Sequence, residues 1–207
     1  MKRQAKAPKS KTKKSGQKAP STFMGRLSHG VQKVARQVEA VFSSEPTDIV
    51  EAVKADHEGL RNFLSTLKDT EKPMAERRRA YDAFAALLES HTVAEEAAVY
   101  APTEKHKGHD LQIKIAEGYV EHQVSTDLLK SIARTRDPLT WSAHANVIAE
   151  IVAHHLKEEE RDLLPMIRRT MSPDENAAML KKFVVLRAKT QKSVTRKNAG
   201  VLGKVKR

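Results

Sequence analysis

The amino-acid sequence predicts an all-α protein: an up-down-up-down four-helix bundle, then a short fifth helix, between basic and disordered N- and C-terminal arms. Three observations point there. Apolar residues recur at spacings of three and four in four successive stretches, the period of a helix that buries one stripe. Aromatic residues make up only 4% of the 207, too few for the strands of a sandwich or barrel. The connections between the stretches are short, which places consecutive helices antiparallel.

Taken in order, residues 1–20 are Lys, Ser, Ala, Pro and Gln with almost nothing to bury, and read as a disordered arm. Within residues 21–44, Phe23, Leu27, Val31, Val34, Val38 and Val41 fall at helical spacing, with Arg26, Lys33 and Arg36 among them. That is a basic amphipathic helix, lying on a membrane or on nucleic acid or docking on the bundle; docking is the preferred reading. The bundle spans 45–188. Ser43 to Thr47 carry a helix-start signal, and Ile49, Val53, His57, Leu60, Leu64 and Leu67 form the first stripe. Pro73 suits the first turn of a second helix, with Tyr81, Phe84, Leu88, His91, Glu95 and Ala98 on one face and a loop over Ala101 to Gly108. A third stripe runs Leu111, Ile115, Tyr119, His122, Leu129 and Ile132, ending near Pro138. The fourth holds Trp141, His144, Ile148, Ile151, His155, Glu159, Leu163 and Met166, with Pro165 expected to end or kink it. Ser172 to Glu175 cap a short fifth helix carrying Met179, Leu180, Phe183 and Val184, and residues 189–207 form a basic, disordered tail.

Composition removes several function classes. There is no cysteine, which excludes disulfides, iron–sulfur clusters and thiol catalysis. No apolar run approaches the ~18 residues of a membrane span, and the N-terminus lacks a signal-peptide core, so a cytoplasmic protein is expected. Charge is uneven. No acidic residue precedes Glu39 and none follows Glu175; residues 1–38 carry 11 Lys/Arg and residues 181–207 carry 10. The two ends thus hold +21 and the middle −9, giving the formal net charge of +12.

Four histidines and two glutamates stand on stripes that otherwise bury aliphatic side chains. His91 is followed by Glu95 and His155 by Glu159, each i and i+4 on one helical face. His57 precedes His91 by 34 residues and His122 precedes His155 by 33, so a lone His and then a His-x-x-x-Glu occur twice in near-equal register. One His on an apolar face is ordinarily a satisfied core residue. Six such positions on four helices are not, because an unpaired buried carboxylate costs several kcal/mol. His57, His91, Glu95, His122, His155 and Glu159 are therefore read as metal ligands. Imidazole and carboxylate without thiolate suit iron, manganese or zinc. Six ligands exceed one tetrahedral zinc, and two central glutamates suit bridging of two cations ~3.5–4 Å apart. His57 and His91 would then serve one metal, His122 and His155 the other. His154 is turned ~100° away from His155 and receives no role. His144 lies ~16 Å along the axis from His155 and reads as a core or helix-end residue. His29, His106 and His109 receive no role. Glu96, Glu158 and Glu160 read as solvated groups or as supports of the ligands.

At these residues the sequence resembles the hemerythrin-like family of HHE cation-binding domains, over about residues 46–188. The resemblance rests on Asp56-His57, on His91 to Glu96, on Glu121-His122 and, most specifically, on His155 to Pro165. It implies a four-helix bundle around a carboxylate-bridged pair of non-haem irons that bind dioxygen or respond to oxygen, nitric oxide, peroxide or iron level. The chain departs from the oxygen-carrying hemerythrins where they place a second histidine one turn from the first on the third helix. Here those positions are Gly118 and Thr126. One iron would keep an open position, which favours reactivity or sensing over simple oxygen carriage. Tyr100 or Tyr119 approaching that position is the alternative to ordinary packing.

Three functions compete. The first is a di-iron protein that binds or senses iron, dioxygen or a reactive small molecule. The second is a di-iron enzyme reducing peroxide or nitric oxide. The third is a nucleoid-associated protein whose Lys/Arg arms bind nucleic acid or another polyanion, with the bundle as a regulatory module; phosphate contacts by such arms weaken steeply with salt.

Overall fold

The structure, a computed structural model, describes residues 46–204, with side chains through residue 194. The expected arm at 1–20 and the expected amphipathic helix at 21–44 lie outside the described residues. Five helices make up the fold: α1 (Ile49–Lys68), α2 (Met74–Glu95), α3 (His109–Arg134), α4 (Pro138–Glu158) and α5 (Pro173–Lys204). There is no strand among the described residues. No helix among them is long and apolar enough to cross a membrane.

Short polar side chains set the helix starts. Asp48 accepts from the Glu51 amide at 2.8 Å and Asp137 from the Thr140 amide at 2.8 Å, each satisfying an orphan donor of the first turn. Ser172 and Glu175 bond reciprocally at the head of α5, the Ser172 amide donating to Glu175 Oε2 at 2.8 Å. At the far end of α1, the buried Arg77 donates from Nε and Nη2 to the Leu67 carbonyl at 3.1 and 2.7 Å.

The apolar side chains form two clusters with a polar layer between them. One gathers Ile49, Val53, Val99, Ile115, Leu164 and Phe183; the other gathers Leu60, Phe84, Leu88, Ile132, Trp141 and Ile148. Along the chain, α1 and α3 leave the first cluster and enter the second, whereas α2 and α4, with the helical turns that continue them, do the reverse. His57, His91, Glu95, His122, His155 and Glu159 sit where the four helices cross between the clusters.

Two departures from the sequence reading concern helix ends. Neither α2 nor α4 stops at its glutamate. Each passes through one π-helical turn, Glu96–Tyr100 and Glu159–Leu163, and then resumes as Ala101–Thr103 and Leu164–Thr170. The Ala101 and Leu164 amides reach back five residues, to the Glu96 and Glu159 carbonyls. Pro165 therefore does not end the helix, and the loop expected from Ala101 begins only after Thr103. In the five-residue register Pro102 would be the donor for the Ala97 carbonyl, and it has no N–H; Lys182 Nζ of α5 takes that place at 2.6 Å.

The second departure is α5. Expected to be short, it has 32 residues and stays helical to Lys204, through most of the stretch read as a tail. It lies along α2 and also touches α1, burying Met179, Phe183 and Val194. Val184, assigned to its buried stripe, is exposed.

Candidate metal centre

The six predicted side chains come together, and none is more than 4% exposed. Their donor atoms fall into two overlapping groups. One is His91, Glu95, His122 and His155; the other is His57, His91, Glu95 and Glu159; within each the atoms lie within 4.8 Å of one another. Glu95 Oε2 is 3.1 Å from His91 Nε2 and 3.6 Å from His122 Nε2. Glu159 Oε2 is 3.2 Å from His57 Nε2 and 3.6 Å from His155 Nε2. Each carboxylate thus stands between one histidine of the His57/His91 pair and one of the His122/His155 pair.

All four imidazoles turn Nε2 inward, and the outward Nδ1 of each faces another carboxylate. His57 Nδ1 is 2.9 Å from Glu160 Oε1, His122 Nδ1 3.1 Å from Glu96 Oε1, and His155 Nδ1 2.7 Å from Glu121 Oε2. His91 Nδ1 lies 3.6 Å from Asp56 Oδ2. Every one of these acids adjoins a site residue in sequence yet serves a histidine on a different helix. Asp56 of α1 serves α2, Glu96 beyond α2 serves α3, Glu121 of α3 serves α4, and Glu160 beyond α4 serves α1, closing a ring. Such acids fix the imidazole tautomer with Nδ1–H outward and a lone pair on Nε2 inward. The sequence reading gave Glu96 and Glu160 this kind of place but assigned none to Asp56 or Glu121. Their signal was position, since each directly precedes a lone histidine.

Electrostatics in this layer are unbalanced. Six carboxylates face four imidazoles. The nearby cations are Arg187 of α5, whose Nε is 2.6 Å from both Asp56 oxygens, and Arg61, 2.8 Å from Glu160. Burial alone lowers the affinity of His91 for its second proton, but Glu95 and Asp56 outweigh burial and push its pKa up to about 10. His155 is raised in the same way against burial, by Glu121 and Glu159. Glu159 is held well below the carboxylate range despite its burial, by His57 and His155.

The donor set fits a pair of cations. His57 Nε2, both nitrogens of His91, both oxygens of Glu95 and Glu159 Oε2 are buried with no hydrogen-bond partner. Orphans of that kind are rare and call for an explanation. His122 Nε2 and His155 Nε2 stand 3.2 Å apart. With both Nδ1–H groups committed to carboxylates, that contact needs either a second proton on one imidazole or a cation between the two nitrogens. Imidazole nitrogen with carboxylate oxygen is the donor chemistry of iron, manganese and zinc.

Tyr100, fully buried in the first π-helical turn, donates its hydroxyl to Glu159 Oε1 at 2.9 Å and stacks on His122 with ring centroids 5.4 Å apart. Burial and the carboxylates of Glu159 and Glu95 raise its pKa well above 10, so the phenol stays protonated. It fills the space beside Gly118, the position one turn from His122. Tyr119 packs edge-on against Tyr100, 5.2 Å between centroids.

The remaining histidines lie apart from the layer. His144 is half-buried and meets Thr135 Oγ1 at the end of α3, while His106 pairs with Glu175. His154 is exposed beside Glu158. His109 opens α3 at the surface, and His29 lies outside the described residues.

The model of the hemerythrin HHE cation-binding domain matches residues 48–167, which cover α1 to α4 and exclude α5. No curated protein and no solved structure matches the chain.

Proposed function

The chain belongs to the hemerythrin HHE cation-binding family, and from that premise we propose that it is a non-haem di-iron protein. It binds or senses iron, dioxygen or a reactive small molecule such as nitric oxide or peroxide. His57 and His91 would hold one iron and His122 and His155 the other, with Glu95 and Glu159 as the carboxylates shared between them. The four helices of the domain at 45–188 run up-down-up-down, a reading supported by the alternation of α1 to α4 between the two apolar clusters. One observation carries the proposal: buried nitrogen and oxygen donors of six side chains converge, and those of His57, His91, Glu95 and Glu159 include atoms without partners of their own. Manganese or zinc suits the same donors and is the alternative metal.

Bound iron would supply electrons and a Lewis-acidic position to the incoming molecule. The chain's own residues do the rest. Asp56, Glu96, Glu121 and Glu160 orient the imidazoles. Tyr100 holds Glu159 in one orientation and keeps an O–H at the face beside Gly118. Phe183 meets His91 edge-on, 6.2 Å between centroids, and keeps water from that side.

The test is the metal content and near-ultraviolet absorption of protein purified in air, beside a His91→Ala/His155→Ala variant. About two irons per chain with ferric charge-transfer absorption, both absent from the variant, is the expected result. Failure to take up stoichiometric metal after anaerobic loading would overturn the reading. Turnover of peroxide or nitric oxide by the iron-loaded protein would instead favour the enzyme.

The length of α5 keeps a second reading in view. Its 32 residues include eight Lys/Arg and no acidic residue after Glu175, a basic helix suited to phosphate backbones. Salt-dependent retardation of DNA, lost when residues 195–207 are deleted, tests it.

A further inference from the structure

Directly outside the centre lies a second group of cation donors. Glu121 of α3 and His154 and Glu158 of α4 each offer an atom, all within 4.8 Å of one another. His154 and Glu158 are i and i+4, one residue ahead of His155 and Glu159. They repeat the inner chelate on a face turned ~100° toward solvent. His154 Nε2 is 3.6 Å from Glu158 Oε2, with the His154 side chain 63% exposed. Glu121 belongs to both layers, since it also accepts from His155 Nδ1.

Two of the three donors, Glu121 and Glu158, line a passage. A cavity of about 20 Å³ runs inward between α3 and α4, room for about one water or ion. Lys114, Glu117, Glu121 and Glu158 line its outer part; Gly118, Tyr100, His155 and Glu159 line its inner part. Glu159 is buried, and its Oε2 has no hydrogen-bond partner. Beyond the outer donors, the side chain of this buried glutamate therefore borders the same space. The absent side chain at Gly118 admits the Tyr100 ring, which closes that side of the passage. Lys114 Nζ stands in the acidic rim, 2.7 Å from Glu117, 3.8 Å from Asp162 and 4.0 Å from Glu158, where it competes with any incoming cation.

The opposite side is closed. Asp56, the counterpart of Glu121 in the other half of the pattern, is buried under Arg187, and Phe183 covers His91.

We propose that Glu121, His154 and Glu158 form a transient divalent-cation site that passes metal along the Gly118 cavity to Glu159 and the inner centre. The inference rests on the di-metal reading of that centre. A narrow cleft lined by one sign of charge concentrates counter-ions and speeds their arrival tenfold or more.

The experiment uses the full chain and Co²⁺, whose ligand-field bands report arrival among the inner histidines and glutamates. Stopped-flow loading of the wild type is compared with His154→Ala/Glu158→Gln, which spares Glu121 and so the support of His155. The expected variant fills the inner centre to the same end point but about tenfold more slowly, and loses a third, weaker Co²⁺ from equilibrium titration. Lys114→Gln should load faster than the wild type. Equal loading rates in the double variant and the wild type would overturn the proposal with the inner centre intact. A wild type that takes up no stoichiometric Co²⁺ would overturn the di-metal reading and this proposal with it.

Discussion

Gly118 and Tyr100 occupy one space: a Cβ built at position 118 would lie 2.6 Å from the Tyr100 hydroxyl oxygen and 2.9 Å from Cζ. A helix interior ordinarily gains about 1 kcal/mol when glycine becomes alanine. Here Gly118→Ala should destabilise instead, by displacing the ring and its bond to Glu159. In a Tyr100→Leu background the same change should be neutral or stabilising. A double-mutant cycle by thermal unfolding measures the coupling, and additivity would mean that the two residues do not share the space.

Removing only the phenolic oxygen is a finer cut. Tyr100→Phe keeps the stacking on His122 but leaves Glu159 Oε1 without its donor. A hydrogen bond to a buried charge contributes about 1.5–3 kcal/mol, so unfolding of the metal-free variant should shift by an amount in that range. Spectra of the iron-loaded variant should also change, because the orientation of Glu159 is no longer set by the phenol.

The ring of outer acids predicts equivalent effects from distant changes. Asp56→Asn, Glu96→Gln, Glu121→Gln and Glu160→Gln should each weaken metal binding about 10–100-fold, read by competition with a chelator. Asp56→Asn should also loosen α5, since Arg187 then loses its charged partner. Hydrogen exchange over residues 180–194 would report this, and unaltered protection there would deny Arg187 that role.

Stability of the metal-free protein should fall as pH rises. The folded pKa of His91 is raised, to about 10 against an unfolded value near 6.5. Its contribution is therefore fully present below 6.5 and is lost as pH climbs through 10. Denaturant midpoints across pH 6 to 10 should decline, whereas His91→Leu/Glu95→Met, which removes both charges together, should flatten the slope. That variant should also be as stable as the metal-free wild type or more so, as happens when a buried ion pair is replaced by apolar side chains.

Much of the centre was legible because helical periodicity is strict. A residue on an apolar stripe has no choice of face, so His57, His91, His122 and His155 had to point inward together. The choice of His155 over His154 followed from Ile148 and Ile151 alone. The π-helical turns were not legible. They widen one turn by a residue at the point where tertiary contacts, such as Tyr100 on Glu159, outweigh local preference. Nor was the crossing of the outer acids, because Asp56 adjoins His57 in sequence and only the packing of α1 on α2 turns it to His91. The length of α5 was partly visible: Met179, Phe183, Arg187 and Val194 continue its stripe, but a run of Lys and Arg suggested a solvated tail where one arginine is in fact half a buried pair.

In the duplicated donor pattern the two halves of the bundle are chemically alike: α1 and α2 bring the same donors in the same order as α3 and α4. The fifth helix belongs to neither half and packs mainly on the first. Arg187 clamps Asp56 and Phe183 covers His91, while their counterparts Glu121 and His155 border a water-sized passage. Two positions equal in ligands are thus unequal in access. The His122/His155 position should exchange its ion readily and the His57/His91 position slowly, so a chelator should strip the pair in two kinetic phases and leave a long-lived one-metal form between them.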